Sequence, residues 1–217
     1  MKGTPVKRFI LIIAVCSILV SCSTAPREGS VTILHTNDMH SQFVPLPATW
    51  INAEVKPQIG GMVALDYFVR QARTKFPNAL MLDAGDMCTG TLLSKINHKG
   101  ALNGGFVDMM NIIDYDAFTI GNHEFDDGQE NLSALLDLAE FDVLSANLLA
   151  EGKQVAPKAY DIYNVDGLRV GVIGLILSDL YNMTARKNLG GVEVLDPAKT
   201  VQKVIDRIDK KTDIIVI

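Results

Sequence analysis

Ala79-Leu80-Met81-Leu82-Asp83-Ala84-Gly85-Asp86 is four apolar residues that stop at a carboxylate, a glycine and a second carboxylate. A short unbroken apolar run closed by turn residues suits a strand buried on both faces. Gly85 lets the backbone turn sharply and aims Asp86 away from the sheet edge. The same layout stands on either side. Val31 to Leu34 leads into His35-Thr36-Asn37-Asp38-Met39-His40, and Ala117 to Ile120 leads into Gly121-Asn122-His123-Glu124-Phe125-Asp126. Asp38 and His40 are two apart, so in an extended segment both project to one side and can grip one ion.

Further apolar runs at Val143-Leu144, Val170 to Leu177 and Ile214 to Ile217 read as strands too. Between them, three sets of residues recur on one face at helical spacing: Met62, Leu65, Val69, Ala72 and Phe76; Leu132, Leu135, Leu136 and Ala139; and Val201, Val204, Ile205 and Ile208. Phe106 to Ile113 is a shorter helix candidate. Alternating strands and helices predict an α/β layered domain. One pair of runs departs from that alternation: Tyr160 to Val165 and Leu168 to Val172 flank Asp166-Gly167, a pair suited to positive φ and hence to a tight hairpin. The sheet is therefore expected to be mixed. No internal repeat or low-complexity tract is present.

Taken singly, each polar cluster has an ordinary structural explanation. Asp-x-His is commonly a surface turn, Gly-Asp a turn pair, and Asp126 a cap for the helix that follows. Their joint occurrence changes the reading. Three parallel strands would bring all three clusters to one sheet edge, and carboxylate, amide and imidazole together suit Zn²⁺, Mn²⁺ or a similar ion.

The chain has 217 residues, 48% hydrophobic and 21% charged, with 20 Lys+Arg against 25 Asp+Glu and a formal charge of −5. A core is affordable at that composition, and a nucleic-acid polymer partner held by a general positive field is disfavoured. Residues 1–21 carry Lys2, Lys7 and Arg8 ahead of an apolar run from Phe9 to Val20, the pattern of a signal peptide and too short for a membrane span. Leu19-Val20-Ser21-Cys22 resembles a bacterial lipobox, which implies lipidation of Cys22, a polar tether over 22–30 and a chain exported and anchored to the bacterial cell envelope. Removal of 1–21 takes three basic residues and no acids, leaving 17 against 25 and a formal charge of −8. Cys16 leaves with the signal, so Cys88 has no partner and no structural disulfide is expected.

The motifs at 33–40, 82–86 and 121–126 are similar to those of the calcineurin-like metallophosphoesterases, in particular the bacterial 5'-nucleotidase branch. Gly60-Gly61, Ser145-Ala146-Asn147-Leu148 and Val170-Gly171-Val172-Ile173-Gly174 also fit, so the similarity covers residues 31–217. The resemblance implies an αββα sandwich with mixed sheets and two divalent metal ions. Asp38 and His40 would bind the first ion, Asp86 both, and Asn122 the second. His123, oriented by Asp126, would be the catalytic imidazole, and a hydroxide bridging the two metals would attack a nucleotide phosphomonoester. No role falls to Glu124 or Phe125, His35 and Asn37 are expected to pack or to support ligands, and His98 is expected at the surface.

The family also draws histidine ligands from a Ser-His turn and a Gly-His-x-His segment, and neither occurs here; the four histidines are 35, 40, 98 and 123. That leaves Asp86 and Asn122 for the second metal. The chain also ends on an apolar strand with no loop after it. The expectation is thus an incomplete domain with little or no turnover, the other outcomes being a 2',3'-cyclic-nucleotide phosphodiesterase/3'-nucleotidase or an inactive truncated surface lipoprotein.

Overall fold

A computed structural model describes residues 28–217. The signal-peptide segment, Cys22 and most of the tether lie outside the described residues. Four parallel strands, β1 (Ile33–Thr36), β2 (Leu80–Asp83), β3 (Ala117–Thr119) and β4 (Asp142–Leu144), form a sheet in the order of the chain. Helices α1 (Met62–Lys75), α2 (Gly104–Ile113) and α3 (Gly128–Leu138) make the successive crossovers between them. Parallel register, with Thr36 opposite Asp83 and Leu82 opposite Ala117, sets the carboxyl ends of β1, β2 and β3 side by side. All three polar clusters therefore leave the sheet at one edge, where α/β folds carry their chemistry.

After β4 come β5 (Leu148–Ala150), the hairpin β6 (Tyr160–Val165) and β7 (Leu168–Ile173), a single-turn helix α4 (Leu180–Met183), β8 (Val192–Val194), α5 (Pro197–Ile208) and β9 (Ile214–Val216). Asp166 and Gly167 take φ of 51° and 83°, the two positive values a tight hairpin turn requires. In the second sheet β7 pairs antiparallel with β6 and parallel with β9, so the expected mixture of directions is present.

Three apolar layers hold these parts together. Phe106, Phe118, Leu132 and Leu135 pack the first sheet against α1–α3. Leu80, Leu82, Ala117, Leu144, Val170 and Val172 fill the space between the two sheets. Ile173, Val204 and Ile208 join the second sheet to α5, whose start is capped by Asp196 accepting from the Lys199 amide at 2.8 Å, with Pro197 in its first turn. Helix, sheet, sheet, helix is the αββα order. Each buried Leu, Ile or Phe side chain contributes about 1.5–3 kcal/mol through removal from water.

Two expectations need adjustment. The run from Val170 to Leu177 stops being a strand at Ile173, because the chain must pass close to β4: a Cβ at Gly174 would sit 2.3 Å from the Leu144 carbonyl oxygen. Phe76 follows the end of α1 rather than joining its buried face and is 48% exposed. Cys88 is buried as a free thiol.

Candidate metal centre

The loop after β1 and the loop after β2 are laced together by backbone bonds: Asp38 N–H to Gly85 O at 3.0 Å, His40 N–H to Asp86 O at 3.1 Å and Ser41 N–H to Met87 O at 2.9 Å. Asp38, His40 and Asp86 take φ of 50°, 45° and 60°, a left-handed conformation that non-glycine residues seldom adopt. Strain gathered at three polar residues in one pocket is characteristic of functional loops. The loop after β3 comes against the loop after β2 through Gly121: a Cβ there would lie 2.3 Å from Asp86 Oδ1 and 2.7 Å from Asp86 N. Only hydrogen leaves room for the carboxylate.

The side chains meet as this backbone demands. His40 Nε2 lies 3.7 Å from Asp38 Oδ1, and the His40 and His123 rings stand edge to face with centroids 4.8 Å apart. Asp86 Oδ1 accepts the His123 amide at 2.9 Å. His40 Nδ1 is 3.2 Å from the Cys88 carbonyl, which can only accept, so that nitrogen carries the proton and Nε2 stays available as a ligand. His123 Nδ1 lies 2.7 Å from Asp126 Oδ2, and the same oxygen accepts the Thr89 hydroxyl at 2.6 Å. Asp126 thus orients the imidazole and does not cap α3, whose N-cap residue is Asp127. Burial pulls the His123 pKa down, but the hydrogen bond and charge of Asp126, with Asp86 and Glu124 behind it, leave it raised.

Asn122 is 5% exposed, and its side-chain nitrogen is buried without a hydrogen-bond partner. A buried amide left unpartnered costs free energy, and turning it over places its oxygen in the same spot. An amide oxygen, two carboxylates and an imidazole Nε2 around one pocket form a donor set suited to Zn²⁺ or Mn²⁺. Asp38, His40, Asp86 and Asn122 could hold such ions. Among the described residues no three His, Cys, Asp or Glu side chains already close on a common point. Asp38 Oδ2 accepts Asn37 Nδ2 at 2.5 Å, while the 58% exposed side chain keeps Oδ1 turned toward His40.

Outside this pocket, His98 is 43% exposed and pairs with Asp108 at 2.6 Å, as its polar surroundings suggested. His35 is exposed and lines the cleft between the two sheets together with Val172, Val216 and Ile217, while Asn37 supports Asp38 directly. Several contributors escaped the sequence. Glu124, 1% exposed, accepts the amides of Gly121, Asp86 and Cys88; Thr184 and Asn188, from the segment after β7, bond the carbonyls of Asn122 and Asp126. Asp83, at the end of β2, accepts the Thr36 hydroxyl at 2.6 Å and the Gly85 amide at 2.8 Å. An acidic residue wedged between His123 and Phe125 was the only sequence hint of Glu124.

Residues 31–216 match the Calcineurin-like phosphoesterase family model, and the chain belongs to that family, whose members use divalent metals. Among characterised relatives, it is 36% identical over 194 residues to the NAD 5'-nucleotidase of Haemophilus influenzae, covering 86% of this chain and 30% of that protein. It is 33% identical over 226 residues to the 5'-nucleotidase of Vibrio cholerae, covering 97% and 38%. The crystal structure of a 5'-nucleotidase precursor from Thermus thermophilus superposes with a TM-score of 0.66 at 34% identity, covering 83% of this chain and 35% of that one. The chain spans about a third of the length of these relatives.

Proposed function

We propose that the chain carries a metal centre for hydrolysis of nucleotide 5'-phosphomonoesters. The observation that carries this reading is the meeting of Asp38, His40, Asp86, Asn122 and an Asp126-held His123 at one sheet edge. Asp38, His40, Asp86 and Asn122 would hold the divalent cations, Asp38 and His40 serving one and Asn122 another, with the Asp86 carboxylate available to either. Bound cations supply Lewis acidity, which lowers the pKa of water and neutralises phosphoryl oxygens. His123 keeps Nδ1–H on Asp126, and its other nitrogen, protonated, donates to the charge that builds on the phosphoryl group. The nucleotide substrate is supported by the names of the relatives, both 5'-nucleotidases.

Among the described residues Asp86 and Asn122 would serve the second cation, so the polypeptide of residues 1–217 is expected to titrate with one firm and one weak Mn²⁺ site and to release phosphate from AMP slowly. Calorimetry and phosphate release, with 2',3'-cyclic AMP in parallel, check this. No uptake of Mn²⁺ or Zn²⁺ would remove the metal reading, and fast turnover would remove the ligand count. Preferential cleavage of the cyclic substrate would move the activity to the sister branch.

The same reading has the chain exported and held at the cell envelope by lipid on Cys22. It rests on the charged start, the apolar run and the Leu19-Val20-Ser21-Cys22 sequence. Mass spectrometry of the mature N-terminus should find a diacylglyceryl cysteine; an unmodified Cys22 rules the anchor out.

A further inference from the structure

Glu124 is a carboxylate with almost no contact with water, and all three of its hydrogen-bond donors are backbone amides. Oε2 accepts Gly121 N–H at 2.7 Å and Asp86 N–H at 3.0 Å, while Oε1 accepts Cys88 N–H at 3.1 Å. One side chain therefore ties the turn after β3 to the loop after β2. Its bonds lie one step from two groups of the pocket. Fixing the Asp86 amide fixes the residue whose carboxylate accepts His123 N–H. Fixing Cys88 places the carbonyl that receives His40 Nδ1–H and so leaves Nε2 free.

We propose that Glu124 is a positioning residue of the metal centre, setting at once the place of the Asp86 carboxylate and the tautomer of His40. This rests on the reading that the pocket holds divalent cations, and it adds a role for a side chain that touches neither metal nor substrate. A buried carboxylate could also serve the fold alone, with no bearing on the ligands. The two roles separate in Glu124→Gln. Glutamine keeps one oxygen, which serves the two donors Gly121 and Asp86, and turns an NH₂ toward the Cys88 amide, donor against donor. The Cys88 end is released while the shape is kept.

The test compares wild type, Glu124→Gln and Asn131→Ala in the full chain. Asn131 clamps Leu102 through both ends of its amide, at 2.7 and 3.2 Å, and controls for the loss of a side-chain clamp elsewhere in the helix layer. In chelator-treated protein, nitrogen-15 spectra of the imidazoles should show His40 as the Nδ1–H tautomer in wild type and Asn131→Ala, and as a mixture in Glu124→Gln. Calorimetry should show Mn²⁺ affinity reduced at least tenfold in Glu124→Gln alone. A folded Glu124→Gln with an unchanged His40 tautomer, or with wild-type Mn²⁺ affinity, overturns the proposal, as does an equal change in Asn131→Ala. Should Glu124→Gln not fold, Glu124→Asp keeps the charge but is one methylene too short to reach both loops, and the same two readouts decide. If wild type itself takes up no Mn²⁺, the functional reading fails, while the tautomer comparison still judges Glu124.

Discussion

Asp83 shows how burial at a single residue turns into a property of the whole protein. Burial raises its pKa from 3.8 to about 7; the Thr36 and Gly85 hydrogen bonds oppose the shift, and the charges of Glu124 and Asp38 add to it. The folded state then keeps a proton that the unfolded chain gives up above about pH 4. Stability contributed here is full at low pH and is lost as pH rises toward 7, at up to about 1.4 kcal/mol per pH unit. Asp83→Asn should flatten that slope between about pH 4 and 7, with the gain largest near neutrality. Urea denaturation in EDTA across this range checks it, and an unchanged slope would show that Asp83 is ionised in the folded protein. The ligand candidates could be read in the sequence because each sits beside a turn residue in a repeated layout. Asp83 and Glu124 could not be read in the same way. Their roles depend on how far each is buried and on partners brought near by folding, the Thr36 hydroxyl 47 residues from Asp83 and the Asp86 amide 38 residues from Glu124.

Among the elements, strands β1 to β3 and helices α1 to α3 were legible because apolar periodicity is a local property, and the hairpin because Asp166-Gly167 satisfies a backbone requirement of its own. Strand ends were less so. β7 stops at Ile173 because the backbone of Gly174 presses on β4, and no local pattern records that contact. The turn after β3 makes the corresponding point for the site. Gly121→Ala inserts a methyl group where Asp86 Oδ1 and N now lie, so the carboxylate must move. The expected result is a folded protein destabilised by about 1–3 kcal/mol, the usual cost of overpacking, with Mn²⁺ affinity lowered tenfold or more. Calorimetry and thermal denaturation on the same sample separate the two effects. Wild-type affinity would mean that Asp86 is not a ligand.

In the molecule as a whole, the two facing sheets and the helices packed outside them serve chiefly to bring three loop ends to one place. Residues 36–41, 83–89 and 119–126 share no sequence neighbourhood; parallel register sets them side by side, and the hydrogen bonds between their loops join them. Segments from beyond the parallel sheet then steady the pocket, with Thr184 and Asn188 bonding the turn that carries Asn122 and Asp126. The alternation of strands and helices made this convergence legible, while the clamp from the segment after β7 was hidden because its partners lie 62 residues away. The most direct measurement is paramagnetic broadening by Mn²⁺ in nitrogen-15 labelled protein. With one shared centre, amide signals from 37–41, 85–88 and 121–124 should fade together at the same low Mn²⁺ concentration, and Asp86→Asn should abolish the effect in all three. Loops that respond at different concentrations, or a response confined to one of them, would contradict a common site.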